Sequence, residues 1–315
     1  MKKIKAIRPA HTYSIVAVDR KAGEIGVAVQ SHWFSVGSAV PWAEAGVGAV
    51  ATQSFTNLSF GPRGLELLRQ GRSPQEVMEE LLQGDPASEM RQLAVIDRQG
   101  RAAAYTGKRC IPHAGHTVGS NFSVQANLMV SAEVWTAMAR SFKRSAGPLA
   151  ERLVAVLEAG QTCGGDLRGK QSAAILVVRA EPVGQIWKDR LIDLRIEDHE
   201  HPVEELARCL RIFRAYEHMN HGDQALEEED RERALREYGE ARRLYPGSEE
   251  IRFWSAVSMA NAGKLRVALP VFTELFSARP NWRTLLERIY DLELLKVDQR
   301  GYDRILAAAR KGVEE

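Results

Sequence analysis

Thr12-Tyr13-Ser14-Ile15-Val16-Ala17-Val18-Asp19 and Glu24-Ile25-Gly26-Val27-Ala28-Val29-Gln30-Ser31 flank a turn at Lys21-Ala22-Gly23. Two runs rich in β-branched residues around a short glycine-bearing spacer read as a β-hairpin. Its first strand opens on a threonine, which suits a strand start because β-branched side chains favour extended backbone. Thr12 also carries a chemical reading. Were residues 1–11 removed, one residue would hold both a hydroxyl and a free α-amine. The amine, with a reference pKa near ~8, can take the hydroxyl proton and make the oxygen a nucleophile. That reading requires cleavage between His11 and Thr12, and donors that stabilise a tetrahedral oxyanion.

Outward from the hairpin, residues 12 to about 200 mix strand and helix signals. A third strand is expected near Val47–Gln53 and a short helix over Gly61–Leu68. Ser73-Pro74-Gln75-Glu76 starts the next helix, with Ser73 as cap, Pro74 in the first turn and Glu76 closing a capping box. Leu93–Asp97 and Ala102–Tyr105 form a second hairpin around Arg98-Gln99-Gly100. Phe122–Val130 reads as a strand. Helices follow over about 133–142 and 148–159, with Gly160 as the stop. Ser172–Val178 is continuously apolar, so both its faces should be buried. Hairpins, a helix pair and further strands suggest two sheets between helices, an α+β arrangement.

From Pro202 onward the text becomes helical and carries an internal repeat. Ala234 and Ala268, Tyr238 and Phe272, and Pro246 and Pro280 share one offset of thirty-four residues. That is the tetratricopeptide period, in which a small residue admits the neighbouring helix and an aromatic fills the gap. Gly263 precedes Ala268 where the turn between paired helices belongs. The expected division is a leader at 1–11, a mixed domain at 12–202 and a helical domain at 203–315.

Composition excludes several functions. The chain has 315 residues, 44% hydrophobic and 27% charged, which allows a sizeable core. A formal net charge of +2 gives no reason to expect nucleic acid or an anionic membrane. No apolar run approaches the ~20 residues of a membrane span. The N-terminus is basic without an apolar core, unlike a secretory signal. Cys110, Cys163 and Cys209 fit neither a disulfide framework nor a zinc spacing, and a cytoplasmic chain with reduced thiols is expected.

Besides Thr12, several groups could carry chemistry. Gly164-Gly165-Asp166-Leu167-Arg168-Gly169-Lys170-Gln171-Ser172 is a glycine-rich loop before the buried strand. Its glycines would let backbone N–H groups approach a ligand, or simply make a tight helix-to-strand connection. Asp166 and Arg168 are spaced to pair and fix the loop. It lacks the Walker spacing of a phosphate loop. His32 ends the second hairpin strand, within reach of Thr12 as a polar neighbour, or exposed. Gln53, Asn57, Gln125 and Asn127 lie on or beside apolar strands, as oxyanion donors or as partners for backbone groups. Ser14 and Ser31 are alternative hydroxyls, without a Gly-x-Ser-x-Gly elbow. His113 and His116 in a loop, with an acid, form a fainter metal-hydrolase reading; His199 and His201 flank Glu200. No metal site and no cofactor are expected.

Together, Thr12–Ala17, Gly26–Ser31, Val40–Gln53, Tyr105-Thr106-Gly107, Ala114-Gly115-His116, Phe122–Asn127 and Gly164–Ala173 resemble a bacterial and archaeal family of unknown function grouped with the N-terminal nucleophile (Ntn) hydrolases. The resemblance covers roughly residues 11–200. It implies a four-layer αββα fold and an amide-bond hydrolase whose nucleophile is Thr12. Many members of that family begin Met-Thr, whereas here eleven residues precede the threonine, and His32 stands in a segment where the resemblance leads one to expect a lysine. Two functional expectations follow. The first is an Ntn-type amidohydrolase acting on a small-molecule or peptide amide. In it Thr12, Asp166, Asn127 and His32 carry the chemistry, while Gln53, Gly164, Gly165, Arg168, Gln171 and His116 contact substrate. The second is a non-catalytic binding protein with the same fold. In either, the C-terminal helices could hold a protein partner or complete a homodimer. Trp254 and Trp282 are then its anchors, or they pack inside the repeat.

Overall fold

The computed structural model describes residues 9–10 and 12–308. Most of the expected leader, including His11 at the proposed cleavage point, therefore lies outside the described residues. The chain divides into two compact units, Met1–Leu210 and Arg211–Glu315.

In the first unit the elements run β1 (Pro9–Ala10), β2 (Thr12–Asp19), β3 (Glu24–Ser31), β4 (Pro41–Glu44), β5 (Gly48–Phe55), α1 (Phe60–Arg69), α2 (Pro74–Gln83), β6 (Arg91–Asp97), β7 (Ala102–Thr106), β8 (Gly115–Gly119), β9 (Phe122–Ala126), α3 (Val134–Arg144), α4 (Leu149–Thr162), β10 (Ser172–Arg179), α5 (Ile186–Asp189) and β11 (Arg190–Ile196). Helix α6 (Pro202–Glu227) contains the division, and α7 (Arg231–Leu244), α8 (Glu249–Asn261), α9 (Leu265–Ala278), α10 (Asn281–Asp291) and α11 (Gln299–Ala308) complete the chain.

The opening hairpin forms because Asp19 Oδ1 accepts from the Lys21 and Ala22 N–H groups at 2.9 and 3.0 Å. Gly23, at φ 69°, then turns the chain back. Thr12 pairs with Ser31 and Asp19 with Glu24, so the two strands align end to end. They lie inside a six-stranded antiparallel sheet ordered β11-β10-β3-β2-β9-β8. The other sheet is ordered β1-β5-β6-β7, with β4 also on β5. One edge of β5 is shared between β4, at Ala51 to Gly48, and β1, at Ser54 and Phe55.

Helices cover one face of each sheet. Val50, Leu93 and Val95 pack with Phe60, Leu65, Leu68, Val77 and Leu81 of α1 and α2. Tyr13 faces α4, where a Cβ on Gly160 would lie 3.0 Å from its ring, a close approach that glycine accommodates without displacing the tyrosine. Helix α4 runs on past Gly160 to Thr162, so Gly160 is not the expected stop. The inner faces of the two sheets meet in a shared core of Val16, Val18, Ile25, Val27, Val29, Ala49, Ala51, Ala94, Ile96, Ala174 and Leu176. Each large aliphatic side chain fully buried there contributes about 1.5–3 kcal/mol.

The expected α2 start is present. Ser73 Oγ accepts from Glu76 N–H, and the Glu76 carboxylate accepts from Ser73 N–H at 2.7 Å. Strands β4, β8 and β11 were not anticipated, and His116 lies in β8 rather than in a loop. The strand expected to reach Val130 stops at Ala126, because Leu128 takes a left-handed φ of 57°.

In the second unit Ala234 and Ala268 sit at equivalent points of α7 and α9, both buried, as are Tyr238 and Phe272. Glu229 and Gly263, again thirty-four apart, are left-handed at the turns before those helices, with φ of 59° and 75°. Trp254 and Trp282 pack against this core, Trp282 stacking on Phe253 with ring centres 5.0 Å apart.

Candidate functional site

Alternation along the strands decides what faces the space between the sheets. On β2 the inward residues are Thr12, Ser14, Val16 and Val18; on β5, Ala49, Ala51 and Gln53; on β6, Gln92, Ala94 and Ile96. Ser123 and Gln125 add to them from β9. The space is therefore apolar at one end and polar at the other, and Thr12 begins the polar end.

The polar side chains there satisfy one another, as buried amides and hydroxyls must. Gln125 Nε2 donates to Ser14 Oγ at 2.5 Å, and Ser14 Oγ donates to Gln53 Oε1 at 2.6 Å. Gln53 Nε2 donates to Gln92 Oε1 at 2.7 Å, and Asn127 Nδ2 reaches the same oxygen at 2.9 Å. Gln92 Nε2 donates to Ala126 O at 2.8 Å and to Thr106 Oγ1 at 2.9 Å. Thr106 Oγ1 meets His116 Nδ1 at 2.8 Å. Hydrogen bonds thus run from His116 to the main chain of the threonine, crossing between sheets.

Thr12 is completely buried. Its Oγ1 donates to Ser31 Oγ at 3.2 Å. Its carbonyl accepts from Asn127 N at 3.1 Å, Gln53 Nε2 at 3.2 Å and Asn127 Nδ2 at 3.4 Å. Gln53 and Asn127, expected near an oxyanion, hold the main chain of Thr12 here. Upstream, Pro9–Ala10 belongs to the other sheet, so the chain passes from one sheet to the next just before Thr12.

The glycine-rich loop closes the neighbouring side. Gly164 and Gly165 donate to Gln161 O and Gly160 O at 3.0 and 3.1 Å, ending α4. The Asp166 side chain is fully buried. It accepts from His32 N at 3.2 Å, Arg168 N at 2.9 Å and Arg168 Nη2 at 2.7 Å. The expected Asp166–Arg168 pair is thus formed, and it ties the loop to the strand end after Ser31. His32 itself is exposed, its Nδ1 3.4 Å from Lys170 O, and its contacts are with this loop. Gln171 Nε2 donates to Asp198 at the surface at 3.1 Å.

Two titrating groups are displaced here. Burial, and secondarily the Asp166 charge, raises the Tyr13 phenol well above its ordinary value; its OH donates to Gln161 Oε1 at 3.2 Å. Desolvation lowers the His116 pKa, favouring the neutral imidazole. Gln92, the hub of the network, is the residue sequence reasoning missed. Its signal was a lone amide in register with Ala94 and Ile96 on an inward face.

An α+β protein of two facing antiparallel sheets with a helical C-terminal region is thus defined, with a buried polar cluster around a strand-initial threonine. Residues 12–206 match the model of DUF1028, a family of unknown function, and the chain belongs to that family. The crystal structure of protein SPO2555 from Silicibacter pomeroyi, matched to the same family, is similar at 28% identity with a TM-score of 0.58, over 64% of this chain and 88% of that one. No functionally curated protein matches. Among the described residues no helix is long and apolar enough to cross a membrane.

Proposed function

We propose that this chain is the closed form of an Ntn-type amidohydrolase whose nucleophile is Thr12. The observation that carries the reading is a threonine at the polar end of the inter-sheet space, its hydroxyl bonded to Ser31 and its carbonyl held by the amide side chains of Gln53 and Asn127. With the upstream residues removed, the Thr12 amine takes the proton of Oγ1, and the oxygen attacks an amide carbonyl. The amine returns that proton to the departing nitrogen. Water then cleaves the ester left on Oγ1, regenerating the threonine. Gln53 and Asn127 position Thr12, Ser31 orients its hydroxyl, and the Asp166–Arg168 loop holds the strand end that carries Ser31. Removing Pro9–Ala10 also frees the β5 edge at Ser54 and Phe55, where an extended amide substrate would pair as a strand.

A chain beginning at Thr12 after removal of its initiator methionine tests this against a panel of fluorogenic acyl and aminoacyl anilides. Hydrolysis that is lost in Thr12→Ala and kept in Thr12→Ser supports the reading. A folded chain with a free Thr12 amine that cleaves none of them refutes it.

A second reading, a binding protein, draws on the complete burial of Thr12 and on a cleft of about 410 Å³ lined by Glu158, Gln161, Lys170, His201 and Glu204. An intact mass that keeps residues 1–11 in protein from the native host favours it. The thirty-four-residue register supports treating the helical unit as a tetratricopeptide-like pair that docks a protein partner.

A further inference from the structure

The crossing of α6 and α7 gathers three metal-ligating side chains that the hydrolase reading leaves unused. His218 and His221 stand three residues apart on α6, hence on one face. Glu237 reaches them from α7. Its Oε2 lies 2.6 Å from His218 Nδ1 and 3.9 Å from His221 Nδ1. Among the described residues these form the one such group, with donor atoms all within 4.8 Å of one another.

The adjoining residues fix the spacing of the two helices. A Cβ on Gly222 would fall 2.5 Å from the Tyr238 ring, so the helices approach closely where glycine stands. The Tyr238 hydroxyl then donates to Asp223 Oδ1 at 2.7 Å. Gly222 follows His221 directly, and Tyr238 follows Glu237. The contact that locks the crossing therefore also sets the three donors beside one another.

We propose that His218, His221 and Glu237 form a zinc site that clasps α6 to α7. Two imidazole nitrogens and one carboxylate suit a borderline cation such as Zn²⁺, whereas Mg²⁺ and Ca²⁺ prefer oxygen. Tetrahedral bonds of about 2.0–2.1 Å place donor atoms about 3.3–3.4 Å apart, and the two Glu237 separations lie on either side of that value. Small rotations close the difference, since the three side chains are 34%, 60% and 24% exposed. Binding replaces the His218–Glu237 hydrogen bond with bonds to the metal, and water takes the fourth position. The site lies within the helical unit and does not depend on the hydrolase reading.

Zinc chloride titrated into chelator-stripped full-length protein provides the test, with calorimetry for stoichiometry and thermal unfolding for linkage. One zinc per chain is expected, with a higher unfolding temperature. At least a tenfold loss of affinity is expected in His218→Ala and in Glu237→Gln, each confirmed folded by circular dichroism. His199→Ala/His201→Ala, a second imidazole pair with rings 6.4 Å apart, should bind zinc as the parent does. Absence of zinc binding overturns the proposal. So does binding unaffected by Glu237→Gln, or lost instead in the His199/His201 variant.

Discussion

Asp85→Asn should cost the sheet unit about 3–5 kcal/mol, the penalty for stripping one partner from a buried ion pair. The Asp85 and Arg91 side chains are 7% and 5% exposed, and Arg91 donates to both carboxylate oxygens, at 2.6 and 3.2 Å. The same guanidinium donates to the carbonyl of Phe55, which ends β5 beside Pro9. Asparagine keeps the volume of Asp85 but leaves the guanidinium buried without a countercharge. At about 2–4 °C per kcal/mol for a unit of this size, the melting temperature falls by roughly 6–20 °C. Urea unfolding followed by hydrogen exchange of peptides spanning 48–55 and 91–97 isolates the affected strands. Asp85→Leu/Arg91→Met should recover most of the loss, because replacing both charges removes the desolvation cost. Burial opposes ionisation of Asp85, but the hydrogen bonds from Arg91 and from Ala87 N–H outweigh it and lower its pKa. The pair's contribution is therefore fully present above the unfolded carboxylate value of about 3.9, and is lost as pH falls through the lower folded value. A cost below about 1 kcal/mol in Asp85→Asn would refute this account of the pair.

Gln30 is completely buried, and both polar atoms of its side chain lack a hydrogen-bond partner. Gln30→Met should stabilise the protein by about 1–3 kcal/mol in urea titrations, and a loss of stability would show that the amide has a partner. Ser73→Ala should cost about 0.5–2 kcal/mol by removing the α2 cap, measured the same way; no change would show that the box is ornamental. His116 has a lowered pKa in the folded chain, so the unfolded state binds its proton more readily. Stability should decline as pH falls below about 6.5 towards the folded value, and His116→Asn should flatten the profile. Much of the residue is exposed, which keeps the effect small.

What the sequence discloses divides along the range of the interactions. The first hairpin, the Ser73 cap and the buried β10 are written in neighbouring residues: Asp19 with Gly23, Ser73 with Glu76, and an unbroken apolar run. Strand β8 is not, because Gly115-His116-Thr117-Val118-Gly119 carries two glycines, is only partly buried and takes its order from pairing with β9. Strand β11 likewise reads as a charged surface segment until β10 supplies its partner.

The site is harder still. Thr12, Gln53, Gln92, Gln125 and Asn127 come from both sheets, and each is individually just a polar residue near a strand end. What unites them is period-two alternation combined with register. Thr12 shares its face with Val16, Gln53 with Ala51 and Gln92 with Ala94, so each strand hands over from apolar to polar along the same inward face. A slip of one residue in β2 would send Thr12 towards the helices and bring Tyr13 into the amide network. The position of the threonine is therefore enforced by the same aliphatic core that stabilises the sheets. That coupling makes the polar end a rigid setting around Thr12.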